Sequence, residues 1–358
     1  MTIYTMTHKP FTPPPNPLYQ PLQVGAALHE DLGYLRDDRG ENISSQNPYF
    51  SELTGLYWIW KNDFHSDYIG CVHYRRYLLN EQGALYTKEE LQELLTHYDL
   101  VTTKLLTLPY PDYDAFGDRH NSRDLDVTGA VIEELAPAYQ ENYWNLVHKT
   151  RTYFGNMLVT SKKWYHSYME FLFPILFEVQ RRIDISEYDG YQKRVFGFLS
   201  EFLLQVFTTT NHLKVKESHV GMVGEKAETK ELKQELSQFF QQKDIAGAKA
   251  CFLQHYNKRP DILMEASDLD QECRLAMQAI TSMEWQEREY GTCRLSKTTN
   301  FTELISFYRN LNRIAAAHKD ARSPLELQKK LLPEEVEFLK KQQVTPVELE
   351  IALMLFRQ

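Results

Sequence analysis

The chain has no apolar run long enough to cross a bilayer. Its longest mid-chain stretch, Phe171 to Phe177, has seven residues between Glu170 and Glu178, against about 18 or more for a span. The amino terminus, MTIYTMTHKPF, lacks the apolar core of a signal peptide. Cysteine is scarce: Cys71, Cys251, Cys273 and Cys293 are too few for a disulfide framework and too widely spaced for a paired zinc-ligand motif. A reducing compartment is therefore expected. Basic charge is in deficit, with 40 Lys and Arg against 49 Asp and Glu and a net charge of −9. That argues against a general nucleic-acid binder, although a local basic groove is compatible with it. No clean repeat period is present. Together these absences predict a soluble cytoplasmic protein.

What is present suffices for a large core. Hydrophobic residues make up 42% and charged residues 25%, which excludes wholesale disorder. At about 150 residues per domain, the length predicts two domains. Ile3–Thr7 is β-rich, and prolines 10, 13, 14, 15, 17 and 21 predict a long loop after it. Pro48–Asn62 has apolar residues at helical spacing, while Tyr68–Val72 and Tyr98–Thr103 have the pattern of buried strands. Val127–Ala136 and Ala138–Tyr153 read as helices, and Phe154–Thr160 as a strand opening on a Gly-Asn turn. Trp164–Arg182 reads as a helix interrupted by Pro174, Tyr191–Thr208 as a helix, and Leu213–Lys216 as a last strand running to His219. This alternation predicts an α/β layer domain over residues 1–226. Beyond it strand signals fade. Asn300–His318 has a helical stripe, Ser323–Glu326 and Thr345–Glu348 read as capping boxes, and Ile245–Leu263 suggests a helical hairpin. Residues 227–358 are thus expected to be all-helical.

The sharpest local signal is His73-Tyr74-Arg75-Arg76-Tyr77, directly after a predicted buried strand. In open α/β sheets, ligands bind beyond the carboxyl ends of strands. Two guanidiniums and an imidazole there suit a phosphate or diphosphate; an Arg pair bridged to surface carboxylates would read the same way.

The stretches GYLRDDRGENISSQNPYFSELTGLYWIWKN (33–62) and DYIGCVHYRRYL (67–78) resemble a family of bacterial capsule, exopolysaccharide and O-antigen glycosyltransferases that includes galactofuranosyltransferases. So do IYTMTHKP (3–10), LYQPLQVGAAL (18–28), YFGNMLVTSKKWY (153–165) and FLFPILFEVQRRIDISEYDGYQKRVFGFLSEFLL (171–204). The resemblance implies a GT-A-like fold: a Rossmann-type mixed α/β sheet flanked by helices, holding a nucleotide-sugar over its carboxyl edge. Here an all-helical C-terminal domain follows it. On that resemblance Thr7, His8 and Lys9 meet the nucleoside and phosphates, and Asp37 and Asp38 the uridine or ribose. The helix with Glu52, Thr54 and Tyr57 backs that pocket, Gly155 and Asn156 form the turn that meets the sugar, and His219 meets phosphate or metal.

His73, Arg75 and Arg76 stand where the resemblance leads one to expect Asp-x-Asp metal ligands. Two readings stay open: no metal, with arginine neutralising the diphosphate, or Mn2+ or Mg2+ held at Asp112 and Asp114 or at Asp124 and Asp126. Those acidic pairs would otherwise be ordinary complements of helix starts. Inverting transfer needs a carboxylate to take the acceptor proton. Glu201 is the first choice and Asp189 the second, with Asp124 and Asp126 open. Glu201 is either an exposed carboxylate on an amphipathic helix or, beside Phe198, Leu199 and Leu203, a buried one with a raised pKa.

The implied function is transfer of a hexose, galactofuranose or galactose, from a UDP-sugar to a lipid-linked or growing polysaccharide acceptor, at the inner face of the cell membrane. The other reading is a non-catalytic nucleotide-sugar-binding or assembly-scaffold module. The helical domain would present the acceptor, form a homo-oligomer or make peripheral membrane contact. Lys329-Lys330 and Lys340-Lys341 would then lie against anionic lipid or on solvated helix faces. No nucleic-acid partner is implied.

Overall fold

The β-rich opening becomes β1 (Thr2–Thr7), and the chain continues through β2 (Tyr19–Gln23), β3 (Leu35–Arg36), α1 (Asn47–Phe50), α2 (Leu53–Asn62), β4 (Tyr68–His73) and β5 (Arg76–Leu79). Then come α3 (Lys88–His97), β6 (Leu100–Thr103), β7 (Leu106–Thr107), α4 (Asp112–Gly117), α5 (Arg123–Leu135), α6 (Gln140–Val147) and β8 (Arg151–Thr152). β9 (Leu158–Ser161), α7 (Lys162–Arg182), α8 (Val195–Thr210) and β10 (Val215–Met222) complete the first unit, Met1–Val223. This computed structural model describes the whole chain except Pro109, Asp118, Arg119, Lys226, residues 264–267, Arg322, Arg357 and Gln358.

β1, β2, β3 and β4 run parallel in the order β3-β2-β1-β4. β4 pairs antiparallel with β9 along Tyr68–Cys71 and, at His73, with β5. β9 pairs antiparallel with β6, β6 parallel with β10, and β10 antiparallel with β5. Alternation along each strand feeds two cores. Tyr4, Met6, Ile69, Cys71, Leu100 and Leu158 face one that also takes α2 and α5 to α8. Ile3, Val72, Val101 and Val159 face the other, with Leu91 of α3. Gly70 lies where these layers leave no room for a side chain: a Cβ there would meet Ile3 at 2.8 Å and Val159 at 3.1 Å.

Several expectations need correction. The proline-rich segment is not all loop, because β2 includes Pro21, paired with Thr5. β3 reaches only Leu22 and Gln23, so Pro21 sits where no ladder demands its missing N–H. The helix expected over Pro48–Asn62 is broken at Ser51, whose φ is 49°. Conversely, α7 runs through Pro174: the ring is on the exposed side, while Phe171, Leu172, Phe173, Ile175 and Leu176 are buried, and that packing offsets the roughly 3 kcal/mol a mid-helix proline costs. Helix 138–153 stops at Val147, and its tail becomes β8. The last strand continues past His219 to Met222.

The second unit, Gly224–Gln358, is helical: α9 (Ala227–Gln241), α10 (Ile245–Lys258), α11 (Glu272–Tyr290), α12 (Phe301–Ala317), α13 (Pro324–Gln328), α14 (Pro333–Lys341) and α15 (Pro346–Met354). Leu236, Phe240, Ala276, Met283, Tyr308 and Leu311 are in its core. Asn300 caps α12, Ser323 Oγ accepts from Glu326 N, and Thr345 with Glu348 forms a full capping box. All four cysteines are buried and free of disulfides. Among the described residues, no helix is long and apolar enough to cross a membrane.

Candidate functional site

The basic motif is a two-residue hairpin rather than a loop beyond a strand. His73 ends β4 and pairs with Arg76, the first residue of β5. Between them, Tyr74 N donates to Met6 O at 3.0 Å, pinning the turn to the end of β1. The hairpin thus lies at the carboxyl edge of the parallel strands.

The turn before β9 meets it there. Gly155 (φ 95°) and Asn156 (φ 46°) hold left-handed conformations, and His73 Nε2 lies 2.5 Å from Gly155 O. Arg76 flanks the same glycine: a Cβ built on Gly155 would stand 3.6 Å from Arg76 Nη1. Gly155 N donates to Glu201 Oε1 at 2.8 Å. Asn156 Nδ2 donates to Glu52 Oε1 at 2.7 Å and to Gly197 O at 3.2 Å, and Asn156 Oδ1 accepts from Ser200 Oγ at 3.0 Å. Glu52 follows the strained Ser51, whose Oγ accepts from Arg194 Nε at 3.0 Å. One two-residue turn therefore gathers side chains from β4, β5, α8 and Glu52, the residue before α2.

The carboxylates there are driven apart. Burial, reinforced by the charge of Glu52, pushes Glu201 up to about 8, against the Gly155 N–H, Arg76 and Arg194. Burial would lift Glu52 too, but His73, the Asn156 amide and Arg194 outweigh it and hold that carboxylate below its ordinary range. Burial, helped by Arg76 and Arg194, lowers His73 despite the pull of Glu52. Two acids with opposed environments divide the roles of proton holder and fixed anion.

Thr7 ends β1 with its Oγ1 accepting from Lys9 N at 3.2 Å. His8 and Lys9 are exposed. The His8 ring meets Tyr74 edge-on at 5.6 Å, and Phe11 contacts both Tyr74 and Tyr34, an aromatic wall beside the hairpin. Arg75 Nε donates to Val223 O at 3.3 Å.

Asp37 has a different place from the one expected. It is fully buried, accepting from Gly25 N, Ala26 N, Ser44 Oγ and Thr54 Oγ1, so it and Thr54 are struts behind the surface, with no face for a ligand. Asp38 is held by Arg36 at 2.6 Å, which keeps its carboxyl low. Tyr57 donates to Glu41. Asp189 is exposed and accepts from Tyr191 N and Gln192 N, capping a turn. His219 is an exposed mid-strand residue 2.8 Å from Lys104 Nζ, rather than a strand-end ligand.

Among the described residues, no three of the metal candidates lie close enough together to share an ion. Asp112 and Asp114 open α4, with Asp112 pushed up to about 6 by burial. Asp124 accepts from Tyr188 and Asp126 from Tyr113. The hairpin itself contributes an imidazole and guanidiniums, the latter with no lone pair for a cation, and the carboxylates beside it, Glu201 and Glu52, already accept from Gly155 N and Asn156 Nδ2. Among the described residues, the three-ligand cluster lies elsewhere, at Glu235, Cys251 and His255.

Sequence reasoning missed Arg194, Ser51, Ser200 and the Phe11–Tyr34–Tyr74 wall. Arg194, Phe198 and Glu201 recur at spacings of four and three, a helical face that could have flagged the arginine; Arg194 stands over the Phe198 ring at 5.6 Å. Ser51 gave no signal, since only its backbone conformation sets it apart.

A family model described as "Domain of unknown function (DUF4422)" matches residues 2–212. No curated protein matches the chain. Among solved structures, the apo structure of WbbM, a bifunctional glycosyltransferase, is similar, with 30% identity and a TM-score of 0.58. The likeness covers 62% of this chain and 45% of that one, so this chain spans less than half of the solved chain it matches.

Proposed function

Since the chain belongs to the DUF4422 family, we propose that its family domain performs glycosyl transfer from a nucleotide-sugar donor, with residues 1–226 as the transferase domain and 227–358 as an appended helical one. The observation that carries this is the Gly155 turn, where Glu201, a carboxylate with a pKa raised to about 8, and Arg76 flank the same backbone. A base and an anion-binding cation meet at one strand edge. The likeness to WbbM supports the reaction class.

In this reading the sheet is GT-A-like and the donor is a UDP-hexose, galactofuranose or galactose. The uridine lies against His8, Phe11, Tyr34 and Tyr74, with Asp38 near the ribose and Thr7 and Lys9 near the phosphates. Arg75, Arg76 and Arg194 take the diphosphate, for which guanidinium forks are suited. The Gly155–Asn156 turn faces the sugar, oriented by His73 and Glu52. Glu201 accepts the proton of the acceptor hydroxyl as that oxygen bonds to the anomeric carbon. The anomeric carbon–oxygen bond to UDP breaks, UDP leaves with the electron pair, and configuration inverts. No step is assigned to a metal. The acceptor is a lipid-linked or growing polysaccharide at the inner membrane face, and the helical domain presents it, pairs with a second copy or contacts lipid through the exposed Lys340 and Lys341.

The test is UDP release by the full chain over a panel of UDP-sugars and oligosaccharide acceptors, with and without chelator. Acceptor-dependent release that persists in chelator is expected. UDP binding without turnover on any donor would overturn catalysis and leave a nucleotide-sugar-binding module.

A further inference from the structure

The helical unit brings three ligand-type side chains together without a paired-ligand motif in the sequence. α9 and α10 are neighbouring helices joined by residues 242–244, with Asp244 Oδ1 capping α10 through Gly247 N at 2.8 Å. Cys251 and His255, four residues apart, share one face of α10. Glu235 reaches them from α9: its Oε2 lies 3.1 Å from Cys251 Sγ and 3.2 Å from His255 Nε2. The ligand atoms of all three lie within 4.8 Å of one another.

Those distances are close to the edges of a coordination tetrahedron, since bonds of about 2.0–2.3 Å give ligand–ligand separations of roughly 3.3–3.8 Å. Thiolate, imidazole and carboxylate together favour a borderline-soft divalent ion over Mg2+ or Ca2+. As a hydrogen bond alone the Cys251 contact is weak, because a thiol is a poor donor, and it spends the same Glu235 oxygen that meets His255. Cys251 is buried while the Glu235 side chain is 42% exposed, so an ion enters past Glu235 and the fourth position falls to water.

We propose that Glu235, Cys251 and His255 form a zinc site that clips α9 to α10. On binding, the thiol proton passes to solvent as the sulfur–zinc bond forms, and nothing is oxidised or reduced. The site belongs to the helical unit and stands whether or not the transfer reading does.

The full chain, stripped of metal, is titrated with Co2+ and then Zn2+. One equivalent of Co2+ should give a thiolate-to-cobalt charge-transfer band that Zn2+ displaces, and Zn2+ should raise the Tm. Cys251→Ser should lose the band, and Glu235→Gln should bind Zn2+ about tenfold or more weakly. Absence of the band in the wild type overturns the proposal, as does an unchanged band in Cys251→Ser. Should Cys251→Ser fail to fold, Glu235→Gln decides: its part-exposed carboxylate leaves the hairpin packing intact, and unchanged zinc affinity overturns the site.

Discussion

In the helical unit Arg294 and Glu348 are 3% and 0% exposed, and each meets its opposite. Arg294 forks onto both Glu348 oxygens, donates to Gln342 O at 3.0 Å, and lies 3.6 Å over the Phe307 ring. Glu348 Oε2 also accepts from Thr345 N and Oγ1. In the sheet unit Glu201 and Glu52 instead face a common turn as like groups, and burial outweighs Arg76 and Arg194 at Glu201 while His73, Asn156 and Arg194 outweigh burial at Glu52. Burying a charge does not by itself mark function. A fully matched pair locks helices, whereas a mismatched group keeps a proton in play near neutral pH.

The largest expected effect breaks the mismatch. Glu201→Gln should lower kcat for transfer by about 10²–10⁴-fold while UDP affinity, measured by calorimetry, stays near wild type. Its stability should move the other way. A carboxyl raised to about 8 in the folded state binds its proton more tightly there than in the unfolded chain, at about 4.3. That contribution is fully present below the unfolded value and lost as pH rises through about 8. Glutamine is neutral throughout, so the variant should match wild type at pH 4 and melt higher at pH 9, by about 2–4 °C per kcal/mol. Wild-type kcat/KM should rise with pH toward the same value.

Breaking the matched pair should show the opposite profile. Glu348→Ala strands the Arg294 charge in the core, and a lost partner of a buried pair costs about 3–5 kcal/mol. Denaturant unfolding should show that loss in the helical unit's transition. A loss below about 1 kcal/mol would mean that water reaches the guanidinium.

The difference between these two sites was only partly legible in the sequence. Apolar runs such as Tyr68–Val72, and the fading of strand signals past residue 226, pointed to a sheet and a helical remainder because periodicity reports burial directly. The helix through Pro174 was misread because tertiary packing overrode a local rule, and β2 because proline is tolerated where no neighbouring strand reaches. His73, Arg76 and Glu201 were nameable from residue type and position. Their meeting at Gly155 was not, because it depends on a positive φ and a hairpin that bring together residues more than 100 positions apart. Asp37 shows the reverse error: a carboxylate beside a conspicuous motif is taken for a ligand until its four internal donors are seen.

Arg76 tests whether the cationic half of the mismatch serves a ligand. Arg76→Ala should weaken UDP binding about tenfold or more, as expected for charge-assisted hydrogen bonds of about 1.5–3 kcal/mol. By removing a charge that opposes the Glu201 shift, it should also move the rising limb of the pH–rate profile to higher pH. Unchanged affinity together with an unmoved profile would detach the hairpin from the donor.

The smallest effect is the sharpest control. Asp189 is an acid in the same connecting segment as α8, but it is exposed, and its Oδ1 already accepts from Tyr191 N at 2.7 Å and Gln192 N at 2.8 Å. Asparagine keeps an acceptor oxygen in that position, so Asp189→Asn should cost no more than about 0.5 kcal/mol and leave kcat within about twofold. A carboxylate in water, with one oxygen accepting from its own turn, lacks the burial beside a like charge that sets Glu201 apart. If Asp189→Asn nevertheless lost activity as Glu201→Gln is expected to, then burial beside a like charge would not be what distinguishes the reactive acid in this unit.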